Sequence, residues 1–291
     1  MAFLEQVRKV ISRVNPAEIR EASERRVRML VEATSSAAYA AMEDYLTPAG
    51  LSREKRMEAA LTLTRACDGD AGGRFHLVLI ETGLPVPEGW DLHKDAFEFD
   101  PRRPHWLVSD ILEHRQDLGL PLARLFPPFR AAMVKATIHE VAKENAMFSV
   151  LTALPNVVPS VAELPWVVGE FASDTAVLTG NQIRMAFVLA AASDRPVGFK
   201  EQRSEIGSII AGAWGWRAAA RELAGKIPFG GGLIPKAAIA YAGTYVVGLS
   251  LERVYRIGYG LSRAERREAF DAALGKGKEV AAQLLGKVRG K

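Results

Sequence analysis

Lys226-Ile-Pro-Phe-Gly-Gly-Gly-Leu-Ile-Pro-Lys-Ala-Ala-Ile-Ala-Tyr-Ala-Gly-Thr-Tyr-Val-Val-Gly-Leu-Ser-Leu251 is nearly continuous apolar sequence broken by glycine and proline. Lys236 is the only charge between Ile227 and Leu251. Pro228, Gly230, Gly231, Gly232 and Pro235 keep the run from being one straight helix. It therefore reads as a loop feeding a close-packing or membrane-seeking helix. From Pro235 to Leu251 it offers roughly 16 residues, just under the length of a bilayer-spanning helix. Ala240, Thr244 and Gly248 fall four apart on it, and Ala211, Gly215 and Ala219 repeat that spacing on the helix before. Each set forms a small-residue ridge where another backbone can approach closely, in lipid or in a tight soluble core.

Outward from this run, Pro/Gly signals divide the C-terminal half into helical blocks: Trp166 to Leu178, Asn181 to Ser193, Lys200 to Gly225 and Lys236 to about Tyr259. A basic helix from Ser262 completes it. Ser173, Asp174, Thr175, Thr179, Asn181, Gln182 and Arg184 form a polar cluster inside otherwise apolar sequence. Buried polar groups require partners. An internal hydrogen-bond network that fixes helix register comes ahead of a partner or ligand contact as its reading. Trp166, Trp214 and Trp216 are either core aromatics or interface anchors beside a membrane.

The N-terminal half has a different character. Phe3, Val7, Val10, Ile11 and Val14 recur at helical steps until Asn15-Pro16, and a short helix follows through Arg26. Val27 to Val31 reads as a strand. Ser35 or Ser36 caps a helix to Tyr45, and Ser52 caps another to about Ala66. Asp68 to Gly73 is an acidic loop, and Phe75 to Ile80 is almost wholly apolar, as a strand covered on both faces would be. Strand, helix, helix, strand predicts a small α/β layer with parallel strands. Pro85 to Pro104 reads as a proline-rich connector, and from Trp106 the pattern is helical: Leu107 to Leu112, Leu118 to Phe126, Phe129 to Phe148. The expected fold is mainly α, a short parallel sheet in a small α/β part (1–128) followed by an α-helical bundle (129–291).

The chain has 291 residues, 48% hydrophobic and 25% charged, enough for a sizeable core. Its net charge of +4 is uneven: Glu252 to Lys291 holds ten Lys/Arg against five Asp/Glu. One cysteine, Cys67, excludes an intramolecular disulfide framework and a Cys-based zinc site, and fits a reducing compartment. Met1 to Val10 lacks a signal-peptide core and cleavage site, so it is expected to be retained.

The motifs of known chemistry are incomplete. After Val31, where a P-loop would stand, the chain reads Glu32-Ala-Thr-Ser-Ser-Ala-Ala38, without glycine or lysine and with a carboxylate facing the would-be anion site. Asp68, Asp70 and Gly73 resemble the start of a calcium loop, but Leu79 stands where a bidentate Glu is needed. His139-Glu140 is half of a zinc-protease motif and reads as helix surface. His76 reads as a satisfied core or edge residue. Gly258-x-Gly260-x-x-Arg263 fails the dinucleotide fingerprint. No nucleophile elbow is present. These absences argue for a protein that is not an enzyme and uses no cofactor or metal.

Glu144-Asn-Ala, Ala153-Leu-Pro-Asn156, Ser173-Asp-Thr, Leu178-Thr-Gly-Asn-Gln-Ile-Arg-Met185, Gly215-Trp-Arg-Ala and Lys226 to Gly232 with Ala240 to Thr244 resemble the YcjF-like domain of unknown function. This helical module follows a small GTPase domain in many bacterial chains. The resemblance covers about Val141 to Phe270. It implies a family without an agreed biochemical activity, some of whose members are inner-membrane proteins. Glu24 to Val31 stands where the first strand of the GTPase domain would begin, but the P-loop, the Asn-Lys-x-Asp motif and the Asp-x-x-Gly are missing. The resemblance thus implies a degenerate, shortened GTPase-like region.

The resulting expectation is a non-enzymatic interaction or scaffold protein, cytoplasmic, docking on a protein partner, on itself or on an anionic membrane surface at the inner face of the cell membrane. Arg263, Arg266 and Arg267 are the candidate anion contacts. Gly230, Gly231, Gly232, Ala240, Thr244 and Gly248 are the candidate helix-packing loop and ridge. Charges at Arg217, Arg221, Glu222 and Lys226 favour shallow association over a span. A fully soluble scaffold and a regulator binding nucleotide through an unconventional phosphate site are the alternatives. Nucleic acid is not an expected partner, because the basic residues lack interleaved aromatics.

Overall fold

Leu77, Val78, Leu79 and Ile80 are all fully buried, as a strand covered on both faces requires. They belong to a four-stranded, wholly parallel sheet of β1 (Met29–Glu32), β2 (Leu63–Arg65), β3 (Leu77–Glu81) and β4 (Ala96–Phe99), in the order β2-β1-β3-β4. Met29 pairs with both Leu63 and Leu77, and Val78 pairs with Ala96. The computed structural model describes residues 2–66, 74–152, 174–212 and 233–289. The fold is mainly α, with this short parallel sheet in its N-terminal part and a helical bundle after it.

The helices are α1 (Ala2–Ile11), α2 (Pro16–Glu24), α3 (Ser36–Leu46), α4 (Arg53–Ala60), α5 (His105–His114), α6 (Gln116–Leu125), α7 (Pro127–Leu151), α8 (Asp174–Ala192), α9 (residues 203–212), α10 (Leu233–Ile257) and α11 (Arg263–Arg289). The chain divides into two compact units. The sheet unit comprises Arg20–Lys135 and Ala191–Arg195; the helical unit comprises Met1–Ile19, Ala136–Ala190 and Pro196–Lys291.

In the sheet unit, Ser35 Oγ accepts the Ala38 N–H and Ser52 Oγ accepts the Lys55 N–H, so α3 and α4 begin at the serines expected to cap them. Two strands lie where none was expected. The helix expected to reach Ala66 stops at Ala60, because the Thr62 carbonyl is taken by the Met29 N–H at 2.8 Å and Leu63–Arg65 joins the sheet edge. β4 lies within the expected Pro85 to Pro104 connector, with Ala96, Phe97 and Phe99 buried and Glu98 exposed. The connector also packs: Leu84, Val86 and Trp90 cover Val78, Ile80 and Ala96.

In the helical unit, α7, α10 and α11 share a core of Ala142, Ala146, Val150, Ala237, Tyr241, Val280, Ala281 and Leu284. Small residues let these helices come close. A Cβ on Gly277 of α11 would lie 2.7 Å from the Ala238 carbonyl oxygen of α10. α8 runs unbroken through Thr179-Gly180, where two separate blocks were expected. Gly180 is a contact point there, since a Cβ would lie 2.2 Å from Val10 Cγ1 of α1. Pro235 is in the first turn of α10, where its missing N–H has no intrahelical partner to lose. Gly258, at φ +90°, ends α10 in the left-handed conformation glycine adopts without strain.

Candidate functional site

The polar residues of α8 converge with α7 and α10 inside the helical unit. Asn181 Nδ2 donates to Asn145 Oδ1 at 2.8 Å. Asn145 Nδ2 donates to Thr244 Oγ1 at 2.8 Å and reaches the Leu178 carbonyl at 3.3 Å. Gln182 Nε2 donates to the same Thr244 oxygen at 3.2 Å. Asn145, Asn181, Gln182 and Thr244 are all buried, so each amide contact substitutes for water that cannot enter. Thr179 Oγ1 bonds back to the Thr175 carbonyl at 2.6 Å within α8. Arg184 pairs with Glu144 of α7 at 2.8 Å. Burial pushes the Glu144 carboxyl up from its ordinary value, and Arg184 offsets only part of that.

The cluster is therefore a three-helix clamp joined to the small-residue ridge through Thr244. Asn145 is a member that the sequence reading did not single out as a site. Its signal was an amide at a core position of α7, between Val141, Ala142 and Ala146. Gly248 adjoins the clamp on α10, where a Cβ would meet two Ile138 side-chain carbons at 2.7 Å. Ala240 is buried on the same helix. Ser173, Gly230, Gly231, Gly232, Gly215, Ala219, Cys67, Asp68, Asp70, Gly73, Trp166, Trp214, Trp216, Arg217, Arg221, Glu222 and Lys226 lie outside the described residues, and of Asp174 only the backbone is described. His139, expected on a helix surface, is half-buried between α7 and α10. Its Nδ1 is 2.9 Å from Tyr241 Oη, and its ring packs against Tyr245 with centroids 5.0 Å apart.

At the carboxyl edge of the sheet, the switch point lies between β1 and β3, because β2 and β3 flank β1 on opposite sides. Ligands of open α/β sheets bind there, against the N–H groups of the turn that follows the first strand. Here Glu81 Oε2 accepts both the Thr34 N–H at 2.8 Å and the Thr34 hydroxyl at 2.7 Å. These two bonds hold the Glu81 carboxyl below its usual range. An acidic group does face this turn, but it comes from the end of β3, whereas Glu32 was the residue expected to supply it.

Arg263, Arg266 and Arg267 are exposed in the first turns of α11, and none forms an ion pair among the described residues. That helix start is already capped. The Ser262 N–H donates to Glu265 Oε2 at 2.8 Å and the Glu265 N–H donates to Ser262 Oγ at 3.3 Å, a reciprocal capping box. Gly258 and Gly260 serve this α10–α11 corner, where the Leu261 N–H donates to Ser250 Oγ. Among the described residues one helix, Ile234–Ile257, is long and apolar enough to cross a membrane, and 61% of its most apolar window is buried within the protein. Those residues also include no group of three or more His, Cys, Asp or Glu side chains placed to hold a metal ion. No family model, curated protein or solved structure matches the chain.

Proposed function

We propose that the protein is a non-enzymatic interaction scaffold, a degenerate GTPase-like α/β unit carrying a YcjF-like helical module, which works with a protein partner such as a GTPase. The observation that carries this reading is the Glu81–Thr34 contact. A carboxylate of the chain itself sits on the N–H that a phosphoryl-transfer domain would offer to phosphate, and a second negative charge there is repelled. The clamp supports the same reading, since the Asn145, Asn181 and Gln182 NH2 groups are spent on bonds between helices. Purified protein incubated with GTP and magnesium is expected to release no phosphate above a buffer control. Sustained release that disappears in Glu81→Lys would sink the reading.

The membrane contact in this proposal is peripheral, because the Thr244 and Gly248 ridge is already spent on packing within the unit. Arg263, Arg266 and Arg267 are the contact, and each cation adds about 1 kcal/mol of attraction at an anionic surface. Flotation with anionic and neutral vesicles at low and high salt tests it. Salt-sensitive flotation on anionic vesicles, lost when the three arginines become glutamate, is the expected result. A monodisperse protein that never floats would leave a scaffold whose partners are proteins alone.

A further inference from the structure

The amino-terminal edge of the sheet, where the chain enters β1, β3 and β4, carries a cavity of about 680 Å³, within the usual size range of small-molecule sites. Arg25 reaches it from the segment before β1, Phe75 and His76 from the segment before β3, and Trp90 from the connector before β4. Arg74 and Arg115 complete its basic lining.

Arg115 is fixed in place. Its Nη1 donates to the His76 carbonyl at 2.8 Å, and its Nε and Nη2 hold the two oxygens of Asp117 at 3.0 and 3.2 Å. Arg25 shares that carboxylate at 3.2 Å. Arg74 is exposed and pairs with no acid among the described residues. Asp95 also lines the cavity, but its Oδ1 is held by the Asp91 N–H at 2.8 Å. Three guanidinium groups against Asp95 and the shared Asp117 leave the cavity positive. His76 registers that field: burial lowers its pKa first, and Arg25 and Arg115 lower it further. Its Nδ1 accepts the Arg28 N–H at 3.2 Å, so the ring proton is on Nε2 and the imidazole adds a donor. The walls are flat and aromatic. Phe75 already takes the Arg28 guanidinium on its face at 4.6 Å, and Trp90 packs on Val78, Ile80 and Ala96 of the sheet core.

The geometry points to a binding site for a small aryl anion, a flat aromatic group bearing a carboxylate or phosphate, with Arg74 and Arg25 on the charge and Trp90 and Phe75 on the ring. Guanidinium forks match the planar oxygens of such groups, and aromatic walls hold a ring at little entropic cost. The site is on the opposite edge of the sheet from Glu81, so it stands or falls independently of the scaffold reading.

Isothermal titration of the whole protein with phenyl phosphate and with indole-3-acetate tests it, with inorganic phosphate, acetate and neutral indole as half-ligands. Both aryl anions are expected to bind at least roughly tenfold tighter than any half-ligand, and Arg74→Glu to weaken them roughly tenfold or more. Arg74 is exposed, so that variant keeps the fold, and an unchanged melting temperature confirms it. Trp90→Phe, which retains a ring, is expected to keep binding within a few fold. No binding of either aryl anion at millimolar concentration would overturn the proposal, as would binding indifferent to Arg74→Glu or matched by phosphate or acetate alone.

Discussion

Asn181 donates its amide to Asn145 at 2.8 Å with both side chains shut off from solvent, and the Leu178 carbonyl, which only accepts, fixes which way the Asn145 amide faces. With Oδ1 turned to α8, Nδ2 is left for Thr244 of α10. One side chain thus reads the register of two neighbouring helices, and sliding either by a turn would strand a buried donor. Alanine-rich helices have smooth surfaces that pack in several registers, so α7, α8 and α10 need such a device more than bulkier helices would.

Thr244→Val tests the clamp, because valine keeps the shape and removes the acceptor. The Asn145 and Gln182 amides would each lose a partner in a site closed to water, and the expected loss of unfolding free energy is about 2 to 3 kcal/mol. Thr244→Ser keeps the oxygen and gives up one methyl group, a loss of about 1 kcal/mol. Urea unfolding of the three proteins separates the cases. Equal destabilisation by valine and serine would mean that packing, not hydrogen bonding, holds the site.

The glycines of α11 give a second contrast. Gly277 faces the α10 backbone, where an added methyl carbon meets the Ala238 oxygen at 2.7 Å and its Cα at 3.1 Å, and backbone cannot step aside as a side chain can. Gly275 and Gly286 open onto free space. Gly277→Ala is expected to destabilise by about 1 to 3 kcal/mol through separation of the two helices. Gly275→Ala and Gly286→Ala are expected to stabilise by up to about 1 kcal/mol through helix propensity. Thermal melts ordered Gly277→Ala, wild type, Gly275→Ala would confirm the close approach.

In the sheet unit, Arg124, Glu58, Lys55 and Asp194 close a ring of charges. Arg124 meets Glu58 at 2.6 Å and Asp194 at 3.2 Å, while Lys55 meets Glu58 at 2.8 Å and Asp194 at 2.5 Å. Burial works to raise the Glu58 pKa, but Lys55 and Arg124 outweigh it and the carboxyl titrates below its ordinary 4.5. Burial works to lower the Lys55 pKa, and its two carboxylates carry it above the ordinary 10.5. A depressed acid stabilises the fold above its unfolded pKa, and that contribution disappears as pH falls through the folded value. A raised base stabilises below its unfolded pKa and stops doing so as pH rises through the folded value. The ring therefore contributes most between about pH 5 and pH 10. Glu58→Gln is expected to flatten the acid limb of a melting-temperature profile. At neutral pH it should cost about 1 kcal/mol or less, since these side chains are partly solvated. An acid limb unchanged by the substitution would assign it to other carboxylates.

The capped helix starts and the buried third strand were legible because their signals are local: a serine before the first turn, and four consecutive apolar residues. β2 was not, because Leu63-Thr-Arg65 is short and follows a good helix, so nothing in its own composition outweighs continued helix. Only the ladder to Met29 decides it, and pairing is a non-local fact. β4 was legible in principle. Ala96-Phe-Glu-Phe99 has the alternation of an edge strand, masked by the prolines and acids around it. Gly180 looked like a helix break, since glycine has low helix propensity, yet α1 needs the space a side chain would fill. The polar cluster was visible as a set of residues, but its focus on Asn145 and Thr244 required the helices to be brought together. The basic cavity was not visible at all, because Arg25, Arg74, Trp90 and Arg115 are far apart in sequence and meet only where three parallel strands begin.

The capping box at Ser262 and Glu265 ties stability to the proposed surface. Arginines in the first turn of a helix oppose its dipole, so Arg263 and Arg266 weaken the start of α11, with Arg267 one turn in. Glu265 counters this: its carboxylate takes the Arg253 guanidinium and the Ser262 N–H, and the Arg253 bond first, then the contacts with Ser262, pull its pKa down to about 2. Its contribution is present above its ordinary 4.5 and is lost as pH falls towards 2. Ser262→Ala removes the reciprocal bond at an expected loss of about 1 kcal/mol, felt as faster amide exchange in the first turn of α11. The substitution leaves every charge in place. If the three arginines act as a presented surface, it should weaken flotation on anionic vesicles at low salt. If they act only by net charge, flotation should be unchanged while exchange still accelerates.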